Sequence, residues 1–299
     1  MKSINVVGKR KIYLGISGVL VILSLVLIFV LGLRPGIDLT GGTSWQLAFP
    51  GETGLEEVRN VFQKEAGFTP SVKKAGDGSF IIRLPETNEE LHQSYIGFLE
   101  KEFGTPTELN FSSIGPTVGR ELRNRAIWAI VLVLLSISFY VAFAFRKVSE
   151  PIRSWKYGVI TLISLLHDAV IPTGMLAVLG HLQGVEIDTN FIVAILVVIG
   201  FSVHDTIVVF DRIRENIILH RGRRISLAEL INDSIRNTLA RSINTSLTLV
   251  FILLALIFFG PPSIFYFILT ILVGTVAGTY SSIFVASPLL YVFRGKGVD

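Results

Sequence analysis

The sequence predicts a polytopic α-helical membrane protein in which six transmembrane helices carry one α+β domain outside the membrane. Hydrophobic residues make up 51% of the 299 residues and charged residues only 17%, and a soluble protein of this length has no core that could hide so much apolar surface. Six apolar runs each approach the roughly 20 residues that a helix needs to cross about 30 Å of hydrocarbon. A single long hydrophilic stretch separates the first run from the second.

The membrane helices follow from these runs in order. The first begins after a Lys/Arg-rich start and no small-residue cleavage site follows it, so we expect it to be retained. The chain then divides into a cytoplasmic N-terminus with the first helix (residues 1–33), an external domain (34–125) and a five-helix segment (126–299) with a basic cytoplasmic loop at 211–240. The predicted spans are residues 12–31, 126–145, 157–179, 190–210, 237–259 and 264–293.

The distribution of Lys and Arg predicts the orientation of the helices. Basic residues precede the first helix and occupy the 2–3 connection, the 4–5 connection and the tail, whereas the 3–4 and 5–6 connections contain none. Short cytoplasmic loops carry such an excess, so both termini are expected in the cytoplasm. The net charge of +4 reflects this topology, and nucleic acid is not an expected partner. The sequence has no cysteine, which excludes disulfides and thiolate metal sites.

The external domain begins with a predicted strand and helix. Apolar residues alternate over 45–49, as on one face of a strand, and Thr53 to Glu56 form a capping box that opens a helix. Gly67 ends this helix. The side chains expected to point inward from it are Leu55, Val58, Val61 and Phe62.

A hairpin, a second helix and a last strand complete the predicted domain. The hairpin covers 71–84 and turns at 76–78. A second capping box over 87–90 opens a helix that Gly104 ends, and 107–114 is the last strand. The resulting order, βαββαβ, is that of a ferredoxin-like domain, a common fold that implies no chemistry. On the second helix the apolar stripe is Leu91, Tyr95 and Phe98 or Leu99.

Asp205 is the candidate functional residue with the strongest physical argument. It lies inside the predicted fourth helix, roughly 9 Å from its cytoplasmic end, and a carboxylate at that depth costs about 2.5 to 3.5 kcal/mol or more, so a functional role is its default interpretation. Arg241, in the first turns of the predicted fifth helix, would favour the charged carboxylate. Relative movement of the two helices would then couple proton flow to a conformational cycle. The alternative for Arg241 is a snorkelling anchor at the membrane surface.

Other polar residues lie on the same helices or face them. His204 could share the proton, because imidazole titrates near neutral pH, but it points about 100° away from Asp205 and is only a possible relay member. For Asp168, a relay role and a structural carboxyl satisfied by Ser164 or by a freed backbone carbonyl are equally open. The remaining possible relay or support residues are Ser202 and Thr245.

Two glycine-containing segments have simple structural interpretations. Asp38, Gly41 and Gly42, after the first helix, predict either a plain turn or a hinge for the external domain. The predicted sixth helix has a small-residue stripe that allows close helix packing, made of Gly274, Gly278 and Ser281.

Five segments of the chain resemble the SecF family of protein-export membrane proteins. GFSVHDTIVVFDRIREN at 200–216 is similar to the family's fourth-helix signature, which few families share. RNTLARSINTS at 236–246 is similar to its fifth-helix entry, and GTYSSIFVASP at 278–288 to its sixth-helix signature. GIDLTGGT at 36–43 and GPTVGREL at 115–122 resemble the segments that bracket the external domain.

The resemblance implies a fold related to the resistance–nodulation–division transporters and a location in the bacterial cytoplasmic membrane. It implies a SecD partner, association with the SecYEG channel, and use of the proton-motive force, without another cofactor, to pull or release preproteins on the outer face. Asp205 would be the proton-relay carboxylate and Arg241 its basic partner. His204 departs from the Asn usual in the family, which leaves the local hydrogen bonding of the relay open.

Three other functions remain to be weighed against this one. A proton-coupled exporter of small molecules or lipids would use similar carboxylates, but an external domain of this size has no evident substrate pocket. An intramembrane hydrolase would need His167, His181 and His204 to converge, and the sequence has neither a His-Glu-x-x-His motif nor a Gly-x-Ser-x-Gly elbow. No catalytic or metal-binding residues are therefore predicted. A structural scaffold would tolerate neutral substitutions of Asp205 and Arg241.

Overall fold

A computed structural model describes residues 5–75, 78–146, 152–221 and 224–294. The chain forms two compact units, one from Pro35–Ile127, which we call the sheet domain, and one from the segments before and after it, which we call the bundle. The elements, in chain order, are α1 (Arg10–Leu31), α2 (Ile37–Thr40), β1 (Gly42–Ala48), α3 (Leu55–Glu65), β2 (Ser71–Lys74), β3 (Phe80–Leu84), α4 (Glu89–Phe103), β4 (Thr107–Ile114), α5 (Pro116–Ala144), α6 (Ser154–Gln183), α7 (Thr189–Leu219), α8 (Leu227–Phe259), α9 (Phe265–Ser281), a π-helical turn (Ser282–Ala286) and α10 (Ser287–Val292).

The prediction of six membrane helices is confirmed. Helices α1, α5, α6, α7 and α8 and the continuous segment Pro262–Val292 are each long and apolar enough to cross a membrane. In α6, half of the residues in the most apolar stretch are buried, and in the segment Pro262–Val292 the share is 56%. In α1 and in α5 only 11% of the corresponding residues are buried. Helices α6, α7 and α9 therefore form the centre of the bundle, and α1 and α5 present most of their apolar surface outward.

The predicted basic loop at 211–240 is largely helical. Helix α7 continues to Leu219 and α8 already begins at Leu227. Charged residues past the end of an apolar run need not leave the helix, because i,i+3 ion pairs support it, here Arg212 with Glu215 and Arg214 with Asp211. Helix α5 likewise begins before the predicted span, at Pro116. The apolar runs thus indicated where the membrane is crossed, not where the helices end.

The sheet domain has the predicted βαββαβ order and a ferredoxin-like sheet. The strand order is β2-β3-β1-β4 and every neighbouring pair is antiparallel. Helices α3 and α4 supply Phe62 and Leu99 to a core that also contains Trp45, Leu47 and Ile82 from the sheet. All five side chains are fully buried, so this domain has a conventional apolar core.

The two predicted capping boxes are each displaced by one residue. Helix α3 is capped at Gly54, whose N–H donates to the Glu57 carboxylate, and α4 is capped by the Asn88 side chain, which accepts from the Leu91 N–H. Because one residue rotates a helix by about 100°, Leu55 and Leu91 are exposed instead of buried. In α4, His92 takes the buried place that was expected for Leu91. Two residues of the predicted hairpin turn, 76 and 77, lie outside the described residues.

Candidate functional site

Asp205 lies where α7, α8 and α9 meet, and only 2% of it is exposed. Its Oδ2 accepts a hydrogen bond from the Ser246 hydroxyl at 3.3 Å, and Ser246 in turn accepts from Thr279 at 2.6 Å. Helix α7 places Asp205 there because Ser202, Asp205 and Val209 share its inner face. The result is a buried carboxylate surrounded by hydroxyl groups.

Arg241 does not form an ion pair with Asp205 among the described residues. Its side chain is exposed on α8, and it acts on the carboxylate electrostatically from beyond direct contact. Since α8 begins at Leu227, Arg241 lies well inside the helix and not in its first turns. The expected direct contact is therefore absent from this conformation.

The two other predicted neighbours of Asp205 on α7 and α8 lie outside the bundle core. His204 and Thr245 are both exposed, and His204 acts on Asp205 only electrostatically. The inner face of α8 is formed by a polar repeat at i,i+4 spacing that is not among the predicted relay or support residues. This repeat is Ser234, Thr238, Ser242 and Ser246, all of them buried.

A second buried carboxylate lies at the contact of α6, α7 and α9. Asp168 has no exposed surface. Its Oδ2 accepts hydrogen bonds from the hydroxyl of Ser281, at 2.7 Å, and from the hydroxyl of Ser202. Its Oδ1 lies 2.7 Å from the Nδ1 of His167. The expected structural partner, Ser164, is buried, and its hydroxyl has no hydrogen-bond partner among the described residues. Asp168 is thus held by residues from two other helices and not by its own helix alone.

The small residues of α9 face α7. A Cβ on Gly274 would overlap the Cγ atoms of Val198, and one on Gly278 would lie 3.0 Å from the Cβ of Ser202. Ser281, one turn further, reaches Asp168 on α6. The stripe therefore brings the backbone of α9 close to α7 and places the Ser281 hydroxyl among the polar residues of the core.

The segment considered as turn or hinge is a one-turn helix, α2, followed by two glycines with positive φ. Gly41 has φ +81° and Gly42 has φ +116°, and a Cβ on Gly41 would lie 2.5 Å from the Cα of Pro116 at the start of α5. Both glycines are thus needed for backbone conformation, and Gly41 also for close approach. Asp38 acts on Arg83 of β3: burial lowers the pKa of the Arg83 guanidinium, and the Asp38 carboxylate opposes that effect.

Two family descriptions match the chain. Residues 98–296 match "Protein export membrane protein SecD/SecF, C-terminal", and residues 26–49 match "SecD/SecF GG Motif". The second match contains Gly41 and Gly42. Together the two cover the end of α1, α2, β1, the end of α4, β4 and the chain from α5 to residue 296.

Named relatives and a solved structure agree with these matches. The chain is 45% identical to the protein translocase subunit SecF of Thermobaculum terrenum over 98% of this chain and 95% of that protein, and 37% identical to that of Haemophilus influenzae over 94% and 83%. The crystal structure of SecDF from Thermus thermophilus, described as a translocon-associated membrane protein, superposes with a TM-score of 0.82 at 33% identity. The match takes in 97% of this chain and 38% of that SecDF chain. The relatives are named as translocase subunits, a non-catalytic role, and these names give the exporter alternative no support.

Proposed function

The chain belongs to the SecF family of protein translocase subunits, and from that premise we propose that it uses the proton-motive force, together with SecD, to promote preprotein export and release on the outer face of the membrane. Asp205 is the proton-binding group in this proposal. The observation that carries it is the burial of this carboxylate among hydroxyl groups, with Arg241 near but not in contact.

The chemistry of the proposal follows from charge in a medium of low dielectric constant. A buried carboxylate without a cationic partner favours the protonated form, and a guanidinium in contact favours the charged form. Movement of α8 that brings Arg241 to Asp205 would therefore release the proton, and separation would allow a new proton to bind. A cycle of this kind converts proton flow into helix movement.

The exposed polar side chains around Asp205 support a second membrane subunit. His204, Arg241, Asn244 and Thr245 are all exposed on α7 and α8. Polar and charged side chains in membrane segments are costly unless protein or a water-filled cavity covers them. We infer that SecD covers this face, and that the pair associates with SecYEG and with translocating preproteins.

The proposed location is the bacterial cytoplasmic membrane, with both termini in the cytoplasm. Support comes from the Lys and Arg residues before and at the start of α1, near the C-terminal end of α7 and near the N-terminal end of α8. The sheet domain then lies on the outer face, where a preprotein emerges.

The test is Asp205→Asn in the complex with SecD, assayed for preprotein export in membrane vesicles with and without a proton gradient. Asparagine keeps the shape and accepts the Ser246 hydrogen bond but cannot bind a proton. We expect the gradient-stimulated part of export to fall by about tenfold or more, since a positioned proton-transfer group contributes on that scale or above.

The matched control is Asp211→Asn, on the same helix but in an exposed ion pair with Arg214. It should leave gradient-stimulated export unchanged. Wild-type export by Asp205→Asn, with normal amounts of complex, would disprove proton coupling at this residue and favour a scaffold.

A further inference from the structure

His167 and Asp168 form a buried imidazole–carboxylate pair that the proposed role of Asp205 does not use. The Nδ1 of His167 lies 2.7 Å from the Oδ1 of Asp168. The imidazole is 5% exposed and the carboxylate 0%. His167 is the only ionisable side chain in contact with Asp168 among the described residues, and the hydroxyls of Ser202 and Ser281 are its other hydrogen-bond partners.

Packing alone does not account for the imidazole. The Oδ2 of Asp168 is already satisfied by the hydroxyls of Ser202 and Ser281. The other ring nitrogen of His167, Nε2, is buried and has no hydrogen-bond partner among the described residues. Leaving such an atom unpaired costs about 1 to 3 kcal/mol. The imidazole of His167 costs free energy to bury, and its Nε2 can bind a proton. It is therefore suited to carry a proton.

The pair shares two helices with the Asp205 site. Ser202, which binds Asp168, and Asp205 are three residues apart on α7, roughly 4.5 Å along its axis. On α9, Ser281 binds Asp168, while Thr279 reaches Asp205 through Ser246. A displacement of α7 or α9 therefore changes the surroundings of both carboxylates at once.

The titratable groups around the pair are few. On α9, the ring of Tyr280 stacks 6.4 Å from that of His167, and its hydroxyl donates to the backbone carbonyl of Tyr13 on α1. On α7 the titratable groups nearest in sequence to Ser202 are Asp205, buried one turn away, and His204, which is exposed. The π-helical turn contributes Phe284, packed on Tyr280 and Tyr13, and no ionisable side chain.

We propose that His167 and Asp168 form a second proton-binding site, loaded and unloaded in the same transport cycle as Asp205. The proposal rests on the proton-coupled function given above. In it, the pair holds one proton between Nδ1 and Oδ1, and a second proton binds at Nε2 when α7 and α9 move. The two sites would then take up and release protons in succession within one bundle.

The first experiment measures gradient-stimulated preprotein export by the complex with SecD carrying Asp168→Asn, Asp205→Asn or Ser164→Ala. In Asp168→Asn, the new amide oxygen accepts from both hydroxyls and the amide nitrogen donates to Nδ1 of His167, so packing is kept while the carboxylate is lost. We expect Asp168→Asn to lose about tenfold or more of the gradient-stimulated export. Ser164→Ala, on the same helix but without a hydrogen bond to Asp168 among the described residues, should keep most of it.

The second experiment follows the imidazole itself, because the proposal requires its Nε2 to take up a proton, whereas a purely structural pair would keep the single proton that it holds. The chain has five histidines, so nitrogen NMR of the histidine-labelled full-length protein, with His167→Gln for assignment, resolves this residue. We expect the spectra of the wild-type protein to show one protonated ring nitrogen of His167 at high pH and two at low pH.

The outcomes separate this inference from the proposed function. Loss of export in Asp205→Asn with wild-type export in Asp168→Asn overturns the second site and leaves the proposed function standing. Wild-type export in both variants overturns both. Equal losses in Asp168→Asn and Ser164→Ala, or a His167 ring that never carries a second proton, would establish a packing role and also overturn the inference.

Discussion

The sheet domain buries apolar side chains, among them Trp45, Leu47 and Phe62, and its charged side chains lie mostly on the surface. The bundle shows the opposite pattern. Asp168 and Asp205 are buried there, and large apolar side chains such as Phe139 and Phe258 are exposed. The first pattern is that of a protein stabilised in water by its apolar core. The second follows from a lipid surrounding, in which apolar burial gains little and polar contacts hold helices together. A core substitution should therefore cost stability in the sheet domain, whereas removal of a buried charge in the bundle should cost function.

The largest expected effect on stability is that of Phe62→Ala in the sheet domain. Phe62 is fully buried and its ring packs against those of Tyr95 and Phe98. Removing such a ring costs about 3 to 5 kcal/mol of unfolding free energy. Hydrogen exchange of the amides of α3 and β3 in the full-length protein measures it.

Leu55→Ala is the matched control for Phe62, because Leu55 lies on the same helix but is exposed. It should change the exchange free energy by less than about 0.5 kcal/mol. A loss below about 1 kcal/mol for Phe62→Ala would mean that this domain does not depend on its apolar core.

A smaller effect is expected for Gly274→Ala in the bundle. The added methyl would overlap Val198 on α7, whose branched side chain has little freedom to move, and overpacking costs about 1 to 3 kcal/mol. Thermal denaturation in detergent, followed by loss of monodisperse protein, measures the shift in midpoint. Gly200→Ala is the control, since a Cβ on Gly200 meets open space; equal midpoints for the two variants would contradict close packing of α9 on α7.

The smallest effect is expected for Glu108→Ala, which removes the polar cluster of the sheet domain. The carboxylate accepts from the indole N–H of Trp45 and contacts the Nε2 of His92, each at 2.7 Å. Because the Glu108 side chain is 39% exposed, water replaces part of the lost contacts, and we expect a cost of about 1 kcal/mol. Hydrogen exchange of β4 measures it, with the exposed Glu102→Ala as control. A cost as large as that of Phe62→Ala would make the polar cluster, and not the apolar core, the main support of this domain.

The fold was predictable to the level of elements because its signals are local. Apolar runs indicate membrane crossings, and alternation with turn residues at Gly67 and Gly104 indicates the βαββαβ order. Helix ends were less predictable. Both Thr53 and Gly54 can cap α3, and the contact of Gly54 with Glu57 decides between them only in three dimensions.

The two carboxylates of the candidate site could be predicted from the sequence, but their hydrogen-bond partners could not. Asp205 and Asp168 stand out because a charge in an apolar run is rare. On α8, however, polar residues lie on two adjacent faces, one with Arg241 and Thr245 and one with Ser242 and Ser246. Periodicity gives no reason to choose between these faces. The partners of Asp168 come from α7 and α9, far away in the sequence, and only packing brings them together.

The π-helical turn at Ser282–Ala286 determines which side chains of α10 face the core. Such a turn is an α-helix with one extra residue, and each residue turns the helix by about 100°. Deleting one residue here would restore a regular helix and rotate Leu290, which is fully buried, away from the core. In an alignment of relatives, gaps should therefore be absent from this segment, and its length should vary less than its side chains do.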